Sequence, residues 1–360
     1  MKAQSLSAVF AGFFFLPGAV AHPGMEAVLE QLKAQDCCDS TELLGDLLYL
    51  HPTDLTPVGR LIEGILTGTT GGESDEPNNS VPELGSTACQ ADTCCVWQYI
   101  VDDIMVYFQD RHGQCTNAAR AAIRLGFHDA AGWSKHTGEF GGADGSVVLA
   151  PEEAQRRPNA GLQQIIAQMK IWHGKWSSFG ISMADLIQVA ANTATVSCPL
   201  GPRIRTFVGR KDSHIASPEE GLLPSPFDEP DFLIELFRAK TIQPRGLAAL
   251  LGAHSTSRQR FIDATQFGAP QDSTPGIWDV LFYNQTLGPT PNNVFVMESD
   301  KKLAKHPRIH EIWRTFARDQ ARWNADYARE YVRVSLLGVY NINYLTDCTR
   351  VLPRAVRFWK

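Results

Sequence analysis

No stretch of the 360 residues reaches the roughly 20 consecutive apolar residues of a membrane-spanning helix, which excludes an integral membrane protein of helical type. A basic excess is missing too. Lys and Arg number 33 against 39 Asp and Glu, a net charge of −6, which speaks against nucleic acid and anionic lipid as partners. The chain has no internal repeat, no phosphate-cradling glycine motif and few convincing hairpin strands. What it does have is globular composition, 44% hydrophobic and 20% charged, so a wholly disordered chain is excluded as well.

Residues 1–21 read as a signal peptide. Lys2 is the charged start, an apolar run passes through Phe13, Phe14 and Phe15, and Ala19-Val20-Ala21 is a small-x-small cleavage site. A secreted, extracellular protein is expected, and its eight cysteines become disulfide candidates. Asn78-Asn79-Ser80 and Asn284-Gln285-Thr286 contain glycosylation sequons.

Leu, Ile and Val recur at helical spacing in Met25–Lys33, Thr41–Leu50 and Val58–Leu66. The following stretch to Ser86 is rich in Gly, Ser, Asn and acid. The expected organisation is therefore a helical appendage over 22–66, a linker over 67–88 and a main domain over 89–360. That domain reads as all-α, with helices over Cys95–Phe108, Thr116–Ala130, Leu162–Lys170, Ser182–Val196, Phe232–Ala239 and Pro244–His254. Ser182 and Asp185 have capping-box spacing, and Ser299–Leu337 reads as two helices broken near Pro307.

Within Thr116–Ala130, Arg124 and His128 stand at i and i+4 and so share a helix face beside Phe127. A cation that keeps its proton is thus held next to an imidazole that can accept one, which suits a proton shuttle. Asp129 follows, then Gly141–Ser146 (GGADGS), where Asp144 and Ser146 offer hard oxygen ligands of calcium type. A second histidine, His254, ends an apolar helix. No HExxH motif or CxxC pair lies near it, so zinc fits poorly, while an axial haem ligand fits. Beyond it, Asp272–Asp279 (DSTPGIWD) is another oxygen-rich loop. Any one of these motifs alone is better read as ordinary structure.

In order, however, Arg-x-x-Phe-His-Asp, GGADGS, Asn159, Gly-Ala-His254-Ser, DSTPxxWD and Ser299-Asp300 resemble the secreted fungal class II haem peroxidases, the group with the lignin and manganese peroxidases. The likeness runs from about Cys89 to Pro353. It implies the peroxidase fold, two helical halves sandwiching haem b. It also implies reduction of H2O2 with one-electron oxidation of phenolic or similar small aromatic donors at the haem edge, by a monomer. By this resemblance His254 is the axial iron ligand and Asp300 its partner, His128 the distal base, Arg124 its helper, and Phe127 a ring over the haem. Asn159 orients His128, and Glu153 supports that network. One calcium falls to Asp129, Gly142, Asp144 and Ser146, a second to Ser255, Asp272, Thr274, Ile277 and Asp279. The implied disulfides are Cys89–Cys95, Cys94–Cys348 and Cys115–Cys198, with Cys37 and Cys38 left over; His310 stands where an additional bridge would have a partner.

Departures from the family bear on the donor. Asn117, Ala121 and Arg260 occupy the positions of the three acids that bind Mn(II), and Ala249 that of the surface Trp of lignin peroxidases. Gln271 replaces a proximal Phe, and the distal loop Trp133–Phe140 is short. A generic donor range is expected. The alternatives are a lignin-type enzyme using another surface Trp, such as Trp133, Trp172 or Trp176, or a non-catalytic haem-binding or interaction protein.

Overall fold

The computed structural model describes residues 40–76, 80–138, 140–218 and 221–359. The expectations for the signal peptide, Met25–Lys33, Cys37, Cys38 and the first sequon's Asn78 and Asn79 lie outside the described residues.

Helices of seven residues or more are α1 (Pro57–Thr67), α2 (Cys95–Phe108), α3 (Asn117–Ala130), α4 (Gln163–Trp176), α5 (Met183–Ser197), α6 (Pro230–Arg238), α7 (Pro244–Leu251), α8 (Leu281–Leu287), α9 (Glu298–Lys305), α10 (His310–Phe316) and α11 (Gln320–Val334). The strands among the described residues are β1 (Phe207–Val208) and β2 (Thr346–Asp347), an antiparallel pair. The all-α expectation therefore holds. α2, α3 and α4 pack around α5, while α6, α10 and α11 pack on α7.

Every residue of α5 is buried, so its polar side chains must be satisfied inside the protein. Gln188 donates to Gly126 O at 3.0 Å, and Asn192 to Thr206 Oγ1 at 2.8 Å. Gly126 on α3 is required for this contact, because a Cβ there would lie 2.6 Å from Ala191 and 2.2 Å from the Tyr331 hydroxyl. Beyond the end of α5, Trp278 stacks on Trp323 at 5.0 Å, and Tyr283 packs edge-on against Trp313 and Trp323. Three disulfides join Cys89–Cys95, Cys94–Cys348 and Cys115–Cys198. The last fastens the start of α3 to the end of α5, which keeps the two helices in register.

Local physics accounts for most boundaries. Thr116 caps α3 by accepting from Ala119 N at 3.3 Å, and Pro244 opens α7, where a missing N–H costs nothing. Ser182 caps α5 through Asp185 N at 3.1 Å, but the capping box is only half made. The Asp185 carboxylate turns away to Gly209 N at 2.7 Å and the buried Arg210 guanidinium at 3.0 Å. The stretch expected as two helices is three. Asp319 accepts from Arg322 N at 2.9 Å and starts α11 afresh. Thr41–Leu50 forms only a short 3-10 turn, Gly45–Leu48.

The larger correction concerns 22–66 and 67–88. As far as they are described, these residues are neither an appendage nor a free tether. Leu44, Leu47, Leu55, Ile62, Ile65 and Leu66 are buried in the same core as α2, α5 and α11. Arg333 donates to Glu42 O, Ser40 O and Leu66 O, and Arg329 donates to Ile65 O. The polar stretch beyond α1 pairs with the main domain: Ser74 N donates to Arg203 O at 3.1 Å and Arg205 N to Gly72 O at 2.8 Å. Its acids meet a cation, with Arg357 2.9 Å from Asp75 and 3.2 Å from Glu73. Polar composition suggested solvation, whereas the partners that tie it down lie far along the chain.

Candidate active site

The first functional side chains come from α3. One helical turn separates Arg124 from His128, so both leave the same face. Arg124 Nε donates to His128 Nε2 at 3.2 Å, and a guanidinium N–H can only donate, so Nε2 carries the lone pair. The other ring nitrogen, Nδ1, lies 2.8 Å from Asn159 Oδ1. The Asn159 amide is oriented by its own donation to Glu153 O at 2.8 Å, which turns its oxygen toward the imidazole. His128 is thereby set as the Nδ1–H tautomer with Nε2 free to act as a base. Burial and the Arg124 charge push its pKa down to about 3, against the opposing Asn159 bond. Burial lowers Arg124 to about 10.

Residues not singled out from the sequence complete this layer. Arg124 is held by Ala160 O at 2.9 Å and Pro158 O at 2.8 Å, so the turn carrying Asn159 also anchors the guanidinium. The Glu153 carboxylate accepts from Ser217 N at 2.7 Å, and Arg156 donates to Ser217 O at 2.9 Å. Phe127 stacks on Phe237 at 6.0 Å and meets the His128 ring edge-on. Arg156, Pro158 and Ala160 adjoin Asn159 in the sequence, whereas no local signal marks Ser217 or Phe237.

The second histidine is not in a regular helix. α7 stops at Leu251, and His254 sits in a 3-10 turn, Gly252–Thr256, a correction to the expected end at His254. The turn is forced close to its neighbours, since a Cβ on Gly252 would lie 2.4 Å from the Trp323 indole and the Tyr283 hydroxyl. His254 Nδ1 donates to Asp300 Oδ2 at 3.0 Å, which leaves Nε2 as the nitrogen available to a metal. Asp300 is fully buried, and its Oδ1 has no partner. Phe282 meets the His254 ring edge-on at 5.6 Å. Gln271 is buried, its carbonyl accepting from Ser257 Oγ while its Nε2 has no partner.

Beside each histidine is a cluster of oxygens without enough donors. Asp129 Oδ1 and Ser146 Oγ are buried and unpartnered, and so are Ser255 Oγ and Asp272 Oδ2. Burial and the Asp144 charge push Asp129 well up, and burial raises Asp144 to about 6. Burial and Asp279 raise Asp272 to about 8, while Thr274 Oγ1 donates to Asp279 Oδ2 at 2.8 Å. Such oxygens are stabilised by a cation. Gly142 O accepts from Asp144 N at 2.8 Å, and Ile277 O from Asp279 N at 3.1 Å, so both carbonyls turn into their loops. No group of three or more His, Cys, Asp or Glu fit to hold a metal occurs among the described residues. The donors here are mixed carboxylate, hydroxyl and carbonyl, which suits a hard ion.

The other candidate positions are decided by burial. Trp172 and Trp176 are buried, and Trp133 is half-buried with its indole N–H on Gly138 O. Six of the eight Trp residues are buried and Trp133 and Trp359 are half-buried, so the surface-Trp alternative has no fully exposed indole to use. Asn117 accepts from Arg120 Nη2 at 2.5 Å. A cavity of about 600 Å³ near Trp97, Asp185 and Arg210 includes neither histidine and is not the candidate site.

A family model described as "Peroxidase" matches residues 102–319. A protein named Peroxidase from Arthromyces ramosus is 31% identical over 300 residues, covering 77% of this chain and 80% of its own. Another Peroxidase, from Coprinopsis cinerea, is 31% identical over 300 residues, covering 77% and 81%. Ligninase H2 from Phanerodontia chrysosporium is 32% identical over 295 residues, covering 76% and 77%.

Proposed function

The chain belongs to the peroxidase family, and on that premise we propose how its own residues carry out the reduction of hydrogen peroxide. It is an oxidoreductase acting on hydrogen peroxide, and a haem enzyme. The observation that carries the reading is the pair of imidazoles with opposite duties. Asp300 fixes His254 through Nδ1, and Asn159 fixes His128 through Nδ1. Each keeps Nε2 unprotonated, that of His254 for iron and that of His128, which accepts from Arg124, for a proton.

Bound haem supplies the redox-active iron at which peroxide takes up two electrons. His128 Nε2 removes a proton from one peroxide oxygen and delivers it to the other as that oxygen departs as water. The Arg124 guanidinium stabilises the negative charge that grows on the departing oxygen. Asn159 holds the imidazole in the tautomer this needs. Asp300 accepts from His254 Nδ1 and makes Nε2 a stronger donor to iron. Phe127 and Phe237 supply an apolar wall. Two aromatic donors, phenols or similar, each lose one electron, balancing the two electrons that convert H2O2 to two waters.

Two calcium ions account for the unpartnered oxygens. One is held by Asp129, Gly142, Asp144 and Ser146, the other by Ser255, Asp272, Thr274, Ile277 and Asp279. Because Asp129 and Ser255 directly follow His128 and His254, the ions would stiffen both sides of the haem site. Residues 1–21 direct the chain to secretion as a monomer, in keeping with three disulfides. The test is His128→Leu in haem-loaded protein. The Soret band should persist while peroxide-dependent guaiacol oxidation falls by about 10²–10⁴-fold. Full turnover in that variant would remove the assigned base.

A further inference from the structure

The chain is acidic overall, yet one edge of the active site gathers guanidinium groups. Arg120 precedes Arg124 by one helical turn, so Arg120, Arg124 and His128 form a single stripe on α3. Arg120 crosses to the far side of the site, donating to Pro275 O at 2.9 Å as well as to Cys115 O at 2.7 Å. Facing it is the segment that follows His254. There Arg258 and Arg260 are both exposed, and they alternate around Gln259, which is buried. Gln259 is pinned by Asp263 O at 2.8 Å and by the pairing of its backbone with Ala269 and Gly268, so the two arginines stand on a fixed loop. The charges of Arg258 and Arg260 add to burial in lowering the Arg120 pKa to about 10.

Phe261 comes next and is 64% exposed. Its ring packs on the distal turn, where a Cβ on Gly161 would lie 2.6 Å from Phe261 and 3.5 Å from Arg124 Nη1. An exposed aromatic ring and a set of cations thus share the rim where the distal and proximal segments meet. The acid in this loop, Asp263, is turned to Thr265 and Gln266, and among the described residues it is Asp110 whose charge opposes those cations at Arg120. Exposed guanidinium forks suit a carboxylate, and an exposed ring beside them suits an aromatic body.

We propose that Arg258 and Arg260, with the Phe261 ring beside them and the charge of Arg120 behind, form a docking site for an anionic aromatic electron donor, a phenolic carboxylic acid. This inference rests on the peroxidase reading and adds the class of donor. Each donor gives up one electron and its phenolic proton, and two donors balance one H2O2 reduced to two waters.

The experiment compares ferulate with its methyl ester as donors for the haem-loaded full chain, wild type against the Arg258→Gln, Arg260→Gln double variant. The readout is the ratio of kcat/KM for acid over ester, which cancels any change in the shared peroxide step. That ratio should fall about tenfold in the variant, the worth of one charge-assisted contact. It should also fall in wild type as salt rises and screens the arginines. A ratio that the double substitution leaves unchanged overturns the proposal, whether or not salt lowers it. So does loss of the Soret band in the variant, because the arginines would then be serving the carboxylates of haem itself. If wild type oxidises neither ferulate nor its ester, nor guaiacol, with H2O2, the peroxidase reading has failed first.

Discussion

Replacing Arg333 with methionine is the most direct probe of how the chain's first described segment is held. The guanidinium is 1% exposed on its side chain. It donates to Glu42 O at 2.8 Å, Ser40 O at 3.0 Å, Leu66 O at 2.8 Å and Thr241 Oγ1 at 3.1 Å. It also lies 3.7 Å from the buried Glu330 carboxylate. Methionine would fill much of the space but donate nothing: Glu42 O would lose its donor, Ser40 O and Leu66 O would keep Arg329 alone, and Glu330 would lose a buried cation. Breaking a buried ion pair costs about 3–5 kcal/mol, and each stranded acceptor about 1–3 kcal/mol more unless water reaches it. Since residues 40–66 can loosen and admit water, a net loss of about 5 kcal/mol is expected, a large part of the total stability of a protein. At about 2–4 °C per kcal/mol for a chain of this order, Tm should drop by about 10–20 °C. Calorimetry on haem-loaded protein measures this, and limited proteolysis should find new cleavage within 40–76. Lys175→Met is the control, because the Lys175–Asp103 pair is half exposed and worth at most about 1 kcal/mol. A Tm within about 3 °C of wild type, with 40–66 still protected, would refute the view that Arg333 locks this segment into the core.

Lys240 makes a pH-dependent prediction. It is fully buried, donates to Trp133 O at 2.8 Å, and burial pushes its pKa down to about 7. Between that value and the unfolded value of about 10.4, the unfolded chain binds the extra proton, so this residue makes stability rise with pH across the window and costs most below it. Lys240→Met should remove an increment of order 5 kcal/mol from the pH dependence, seen as the difference between denaturation curves of variant and wild type. Identical pH profiles would rule this out. Calcium removal should lower stability, because Asp129 then faces Asp144, and Asp272 faces Asp279, without a cation. For sites filled at about a thousandfold excess over Kd the loss is about 4 kcal/mol each. Elemental analysis finding no calcium in active protein, together with a Tm indifferent to chelator, would defeat the assignment.

Much of the architecture was legible because its signals are local. α2 appears over the expected span, and α3 and α5 start after Thr116 and Ser182, the residues that cap them. The spacing of Arg124 and His128 already placed both on one face. By contrast, α11 was hidden by an aspartate cap inside what reads as one long helix, and His254 sits in a tighter turn than its apolar run suggests. A composition rich in Gly and acid hid the ties of residues 67–76, since a cation 282 residues away is invisible to any local window.

By itself the sequence determined which chemistry is on offer. It specified two histidines, the arginine one turn before the first, and carboxylates in oxygen-rich loops, because residue type and helical period are properties of the local chain. Only the tertiary structure decided what those groups are set to do. Asn159 reaches His128 across 31 residues and Asp300 reaches His254 across 46. Both hydrogen bonds exist only once separate helices and turns are packed together. The same is true of the segment after residue 40, whose place in the core depends on guanidinium groups on α11 meeting backbone carbonyls that carry no mark of that role in their side chains.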